Sequence, residues 1–324
     1  MYTFKELSNK VSDIFASEDF TGQPRNLYEP ISYTLLLGGK RLRPTLLLAA
    51  VDLFGGDIDD ASNAAIGIEM LHNFTLLHDD LMDKSPLRRG KPTVYTKWDG
   101  NTAILSGDAL LTLAWRYMLK KERPNMHKIL NIFNETCMDV CEGQQYDMDF
   151  ESRDDVSIDE YLLMIGLKTS AMLTGALHIG ALCTDADESE VQKLITFGTN
   201  IGQAFQLRDD LLDAYGDTGT FGKQTGTDIK DNKKTILYLM ALQDADETKR
   251  ERLHQLFATT PENPESKIRE VLEIYSSLGI REKTEAMIAD YHDRAVAALK
   301  AIERPDESKK ALQELVTKLV ARNV

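Results

Sequence analysis

Two short acidic runs, HDDLMD at 78–83 and RDDLLD at 208–213, constrain this chain more than any other feature. Each closes a stretch of small and apolar residues, GIEMLHNFTLL before the first and IGQAFQL before the second. Asp79, Asp80 and Asp83 of the first run recur as Asp209, Asp210 and Asp213 of the second. On a helix, the first and third aspartates of each run share one face and lie about 6 Å apart along the axis. Three carboxylates on an apolar scaffold repel one another, and burying them unpaired is costly. They must protonate, meet basic side chains or bind a cation. Hard carboxylate oxygens suit Mg²⁺, which keeps water and takes substrate phosphates as further ligands. Two such helix faces across a cleft would hold several Mg²⁺ ions with a polyphosphate between them.

The rest of the chain reads as helix. Segments 44–54, 60–83, 101–121, 125–148, 157–183, 187–215, 233–244, 246–257, 264–278, 280–301 and 306–322 are rich in Leu, Ala, Met, Glu and Gln. Breaks fall near Pro261, Pro264, Gly279 and Pro305. There is no alternating β run and no hairpin signal. Loops are expected at 20–26, 84–98 and 214–232. The last, AYGDTGTFGKQTGTDIKDN, is built of glycine, threonine and charge. It suits a mobile lid, with a plain surface connection as the alternative. No Ser/Pro-rich linker marks a boundary, so the expected fold is all-α, a single-domain helical bundle over 1–324.

The 324 residues suffice for a sizeable core. The net charge of −14 argues against nucleic acid and against a broad anionic membrane surface, while leaving room for a local basic site. No apolar run reaches the roughly 18 residues of a membrane span, so no stable membrane insertion is expected. The start, MYTFKELSNKV, has no signal-peptide core, which points to a cytoplasmic protein. Cys137, Cys141 and Cys183 are odd in number and lack zinc spacing, so they read as reduced core residues.

Against this acidic background GGKRLRP at 38–44 stands out. Gly38 and Gly39 end one helix and Pro44 starts the next, which places Lys40, Arg41 and Arg43 at a helix N-terminus that favours an anion. Arg88, Arg89 and Gly90 follow the first acidic run, and Lys223, Lys230, Lys233 and Lys234 follow the second. Any one cluster could be a solvated charge run. Two clusters flanking two acidic sites suggest two phosphate groups, one held mainly by Mg²⁺ and one mainly by Arg and Lys. His72 lies seven residues before Asp79, within about 20° of it around a helix, and Gln206 lies three before Asp209, within about 60°. Both are expected to point toward the acidic faces.

GGKRLRP, EMLHNFTLLHDDLMD, RRG, LKTS at 167–170, FQLRDDLLD and GKQTGTDIKDNKKT occur in that order between residues 38 and 235. Together they resemble the trans-isoprenyl diphosphate synthases. The resemblance implies an isoprenoid-synthase fold of helices around a deep central cavity, usually a homodimer, with the two aspartate motifs facing each other across its mouth. It implies that Asp79, Asp83 and Asp209 bind Mg²⁺, three ions per active site with substrate present, and that Asp80, Asp210 and Asp213 support them. It places Arg88, Lys168, Thr169, Gln206 and Lys223 on an allylic diphosphate or its developing cation. Lys40, Arg43, His72 and Arg89 would hold isopentenyl diphosphate, and Lys233 matches a further substrate-binding lysine.

The implied reaction is Mg²⁺-assisted ionisation of a dimethylallyl, geranyl or farnesyl diphosphate. Head-to-tail 1′-4 condensation with isopentenyl diphosphate follows, with the departing pyrophosphate as base. Leu71, Phe74 and Thr75 lie deeper along the first motif's helix, where a bulky side chain limits chain length in this family. One ring at Phe74 beside small Thr75 resembles enzymes making C15 or C20 products, although Phe74 also reads as ordinary core. A class I terpene cyclase, a longer-chain polyprenyl diphosphate synthase and a non-catalytic synthase subunit are the alternatives. The second DDxxD and GGKRLRP count against the cyclase, and two intact aspartate motifs count against the subunit.

Overall fold

Leu7, Val11 and Phe15 recur every four residues and are fully buried. They form the inner stripe of α1, Phe4–Ser17, whose first turn is closed by a reciprocal Thr3–Glu6 capping box. The computed structural model describes residues 1–216, 225–259, 261 and 263–320, the side chains of 319 and 320 excepted. The chain divides into two compact units: Met1–Cys137, Gly175–Ile195 and Ile302–Leu315 form the first; Met138–Thr174, Thr196–Ala301 and the residues from Val316 form the second.

In the first unit, α2 (Arg25–Leu36) leads through Gly38 and Gly39 into α3 (Leu42–Leu53). Every residue of α3 from Pro44 onward is buried, as expected of a helix apolar on all sides. Then come α4 (Ser62–Met82), a two-residue ribbon of β1 (Leu87–Arg88) and β2 (Lys91–Pro92), α5 (Val94–Lys97) and α6 (Gly100–Leu119). Helix α4 packs along α6 more extensively than any other pair. Glycine makes this possible: a Cβ on Gly67 would press to 3.1 Å of the Ala114 carbonyl, and one on Gly107 would strike the His78 ring.

Helix α7 (Met126–Ser152) contributes to both units, as do α9 (Ala171–Leu182) and α10 (Glu188–Tyr215). In the second unit, α8 (Ile158–Ile165) starts from a Ser157–Glu160 capping box and runs into a π-helical turn, Gly166–Ser170. After α10 come α11 (Thr227–Lys230), α12 (Ile236–Asp244), α13 (Glu247–Phe257), α14 (Pro264–Ser277) and α15 (Ile280–Ala301), and then α16 (Asp306–Val320), which belongs to the first unit as far as Leu315 and only from Val316 to the second. Tyr161, Leu207, Leu211, Tyr238, Val271 and Tyr275 sit in one apolar cluster of this unit. Burying a side chain of this size contributes about 1.5–3 kcal/mol.

The all-α expectation holds, with corrections. Helix α1 was not anticipated, α2 begins inside the expected 20–26 loop, and α12 starts three residues later than read. The hairpin that sequence reasoning denied is present: Arg89 and Gly90, with φ of 53° and 74°, form the two-residue turn between β1 and β2. Positive φ at both turn residues matches the twist of the strands, and only the second position carries glycine's usual signal. The 84–98 and 214–232 loops also hold α5 and α11, and residues 217–224 of the proposed lid lie outside the described residues.

Ile158–Leu182 is, after all, long and apolar enough to cross a membrane by length and composition, with a mean hydropathy of 1.4. Half of its apolar window is buried within the protein. None of the three cysteines is in a disulfide, but they are not core residues: Cys141 is exposed, and Cys137 and Cys183 are half-buried. On that stretch of α7 it is Thr136 and Val140 that face inward.

Candidate active site

The first acidic motif ends α4. Asp80 turns inward and is 5% exposed, whereas Asp79 is half-buried and Asp83, the helix's C-cap, is exposed. Both carboxylate oxygens of Asp80 accept from Arg88 Nε, at 2.8 and 2.9 Å, and Oδ1 also accepts from Nη2 at 2.7 Å. Burial raises the Asp80 pKa, and the bond and charge of Arg88 pull it back. The ribbon turn aims Arg88 at Asp80 and leaves Arg89 on the other side. There the Arg89 guanidinium lies directly over Gly39, where any Cβ would collide with it. Gly39 also has φ 128°, so glycine is required twice over.

A cationic cluster surrounds α4 one to three turns before the aspartates. Arg43 Nη1 lies 3.0 Å from His72 Nε2. A guanidinium only donates, so His72 accepts at Nε2 and is neutral. Its pKa falls well below the ordinary value, through burial first and then through Arg43, Arg89 and Arg88. His72 therefore meets the arginines and not the aspartates toward which the helical wheel aimed it. Burial lowers Arg43 to about 10, with Arg89 adding to the fall and Glu69 opposing it. Glu69, 3% exposed, is the interior counter-charge for Arg41, Arg43 and Arg89. It accepts from Asn73 Nδ2 at 3.3 Å. Arg43 Nε is buried with no protein partner, a donor left over in a region of excess positive charge. Lys40 is exposed beside this cluster in sequence. Thr75 Oγ1 donates to the His72 carbonyl at 2.8 Å, Leu71 is fully buried, and half-buried Phe74 stacks edge-on against His78 with ring centres 4.8 Å apart.

The second motif, near the end of α10, repeats the division of labour. Asp210 is 4% exposed, while Asp209 and Asp213 are half-buried. Asp210 accepts from the Tyr161 hydroxyl and, at 3.0 Å, from Gln206 Nε2. Burial pushes it up to about 7 despite these donors. Thr169 Oγ1 donates to Gln206 Oε1 at 3.0 Å, so Thr169, Gln206, Asp210 and Tyr161 form one chain. Lys168 Nζ pairs with Asp147 at 2.5 Å. Asp213 accepts the Asp228 N–H at 2.9 Å and ties down the start of α11. Asp228 is pushed up to about 8 by burial first, then by Asp213 and Asp210, with Lys233 opposing. Asp147, Lys168, Thr169, Gln206, Asp228 and Lys233 line one cavity of about 120 Å³. Lys234 is diverted, its ammonium bonding the Arg153 carbonyl and Asp154. Lys223 lies outside the described residues.

Sequence reasoning missed Glu69, Asp147, Tyr161 and Asp228. Glu69 offered a faint signal, a single acid on an otherwise core-facing turn; Asp147, with Asp149 and Glu151 close by, read as one of several surface acids. Tyr161 offered none. Among the described residues no three His, Cys, Asp or Glu side chains converge into a ready-made metal group. What each motif offers is a pair of carboxylates one helical turn apart on a helix end that is not buried. Such hard oxygen donors fit a divalent cation that keeps its water and completes its shell with phosphate oxygens.

The polyprenyl synthetase family model matches residues 24–275. The geranylgeranyl diphosphate synthase of Saccharolobus solfataricus is 37% identical over 98% of this chain and 97% of its own length. The short chain isoprenyl diphosphate synthase of Methanothermobacter thermautotrophicus is 36% identical over 87% of this chain and 86% of its own. A crystal structure of a geranylgeranyl pyrophosphate synthase superimposes with a TM-score of 0.94, at 42% identity and full coverage of both chains.

Proposed function

Because the chain belongs to the polyprenyl synthetase family, we propose that it condenses isopentenyl diphosphate with an allylic diphosphate, working as one polyprenyl synthetase domain over 1–324. It is a prenyltransferase of trans-prenyl diphosphate synthesis, in isoprenoid biosynthesis. One observation supports the finer reading most. In each motif the middle aspartate is buried and bonded to its own partner, Arg88 for Asp80 and Tyr161 for Asp210, while the outer two, four residues apart, stand less buried at the helix end.

Asp79, Asp83 and Asp209 are the proposed ligands of Mg²⁺, three ions with substrate bound, which would neutralise the diphosphate as its allylic C–O bond breaks. Arg88, aimed by Asp80, together with Lys168 and Lys223, binds the allylic diphosphate. Thr169 and Gln206 present oxygens toward the developing cation. Arg43, Arg89, Lys40 and neutral His72 hold isopentenyl diphosphate by charge and hydrogen bonds, without needing a metal. Lys233 is a further substrate contact. The double bond of isopentenyl diphosphate attacks the allylic cation, and the departing pyrophosphate takes the proton.

The product is C15 or C20, limited by Phe74 with Leu71 and Thr75. The enzyme is a cytoplasmic homodimer that does not insert stably in membranes. The test is to incubate the purified protein with Mg²⁺, labelled isopentenyl diphosphate and dimethylallyl, geranyl or farnesyl diphosphate. Label should enter a C15 or C20 chain with release of pyrophosphate. No consumption of isopentenyl diphosphate with any primer, or a cyclic hydrocarbon as product, would refute the reading.

A further inference from the structure

We infer that Gln203 is a positioning residue for the allylic end of the site, its side-chain amide holding the π-helical turn Gly166–Ser170 in the register that presents Lys168 and Thr169. The inference rests on the reading of that site proposed above. A regular α-helix would carry α8 straight into α9. Instead the Ala171 N–H reaches back to the Gly166 carbonyl, the wider π pattern. Such a turn is intrinsically poor and persists only where neighbours enforce it.

Three neighbours do so here. Gln203 Nε2 donates to the Leu162 carbonyl at 3.0 Å, the same carbonyl that takes the Gly166 N–H as the turn begins. Gly166 leaves room for that amide, since its Cβ would sit 3.1 Å from Gln203 Nε2. Gly202, the preceding residue of α10, lies against Ser170, and a Cβ there would be 2.7 Å from the Ser170 Cα. From the other side Gly143 of α7 touches the Lys168 backbone, and a Cβ would be 2.8 Å from its Cα. Between these grips the turn projects Lys168 onto Asp147 and Thr169 onto Gln206, both lining the cavity.

Gln203 is itself 8% exposed, and its Oε1 has no partner. A buried amide satisfied on one side only is a poor choice for stability. A leucine of similar size would bury no orphan oxygen, so the polar group at this position serves the geometry of the turn.

Gln203→Leu tests this. The variant should melt at or above the wild-type temperature. Its kcat should fall roughly 10- to 100-fold, as a misplacement of about 1 Å does, with KM for isopentenyl diphosphate unchanged. In a Lys168→Ala background the same substitution should cost less than about threefold, because the residue acts through the turn that carries Lys168. Gly166→Ala, a better helix former that displaces the Gln203 amide, should reproduce the kcat loss. Backbone amide exchange over 163–171 should quicken about tenfold in Gln203→Leu and stay unchanged in α13, whatever the turnover. A kcat within about twofold of wild type in the folded variants overturns the proposal, as does a full loss repeated in the Lys168→Ala background. Unchanged exchange overturns it independently of activity. Failure of the wild-type protein to consume isopentenyl diphosphate would instead count against the proposed function.

Discussion

Replacing Phe74 with alanine should lengthen the product by about one five-carbon unit. Phe74 is half-buried and stacks edge-on against His78 at 4.8 Å. Deleting a fully buried phenylalanine costs about 3–5 kcal/mol, so a half-buried one costs about 2 kcal/mol, including the aromatic pair. The melting temperature should drop by about 4–8 °C, which leaves the enzyme folded. The aspartates close α4, so residues before them lie deeper along it. The next side chains on the same face, Met70 and Leu71, are fully buried about one turn further on, 5.4 Å along the axis. One turn accommodates roughly one more isoprene unit before the chain meets them, so the extension should be bounded. Thr75→Phe should act in the opposite sense and shorten the product. The assay is chain-length analysis of dephosphorylated, radiolabelled products beside the wild type. An active Phe74→Ala enzyme with the wild-type product would show that Phe74 is simply core. An unbounded ladder of products would show that Leu71 is no barrier.

Asp83→Asn should raise the Mg²⁺ concentration for half-maximal activity several-fold. Asp80→Asn should leave it nearly unchanged and instead raise KM for the allylic substrate by releasing Arg88; equal Mg²⁺ effects of the two would refute the distinction. Arg43→Ala should raise KM for isopentenyl diphosphate by about tenfold or more, the worth of a charge-assisted bond of about 1.5–3 kcal/mol, with the allylic KM little changed. Asp228 has a folded-state pKa raised to about 8 from 3.8. The stability it contributes is therefore present below about pH 4 and lost as pH rises through about 8. Asp228→Asn removes that loss, so in EDTA its melting temperature relative to wild type should rise between pH 5 and pH 9; a constant difference would sink the argument.

Much of this protein was legible from periodicity alone. Apolar residues three and four apart, proline and glycine punctuation and the repeated DDxxD are local signals, and a helix is a local structure. Most of the long helices, and the two acidic runs at helix ends, were legible for that reason; α1, α2, α5 and α11 were not. The ribbon at 87–92 was missed because its turn uses Arg89 in a conformation where glycine would be the signal. The π-turn was missed because it depends on Gly143, Gly202 and Gln203, residues distant in sequence.

The sequence by itself determined that carboxylates would stand one helical turn apart at two helix ends, since helix geometry alone ensures it. Tertiary structure decided which of them turn inward. Asp80 and Asp210 were indistinguishable from their neighbours until Arg88 and Tyr161 came within reach. Likewise Glu69 became a counter-charge, and His72 a neutral acceptor, only when folding brought α3 against α4. A side chain's charge is written in the sequence; its partner, and so its protonation and its availability to a substrate, is set by which distant segment packs beside it.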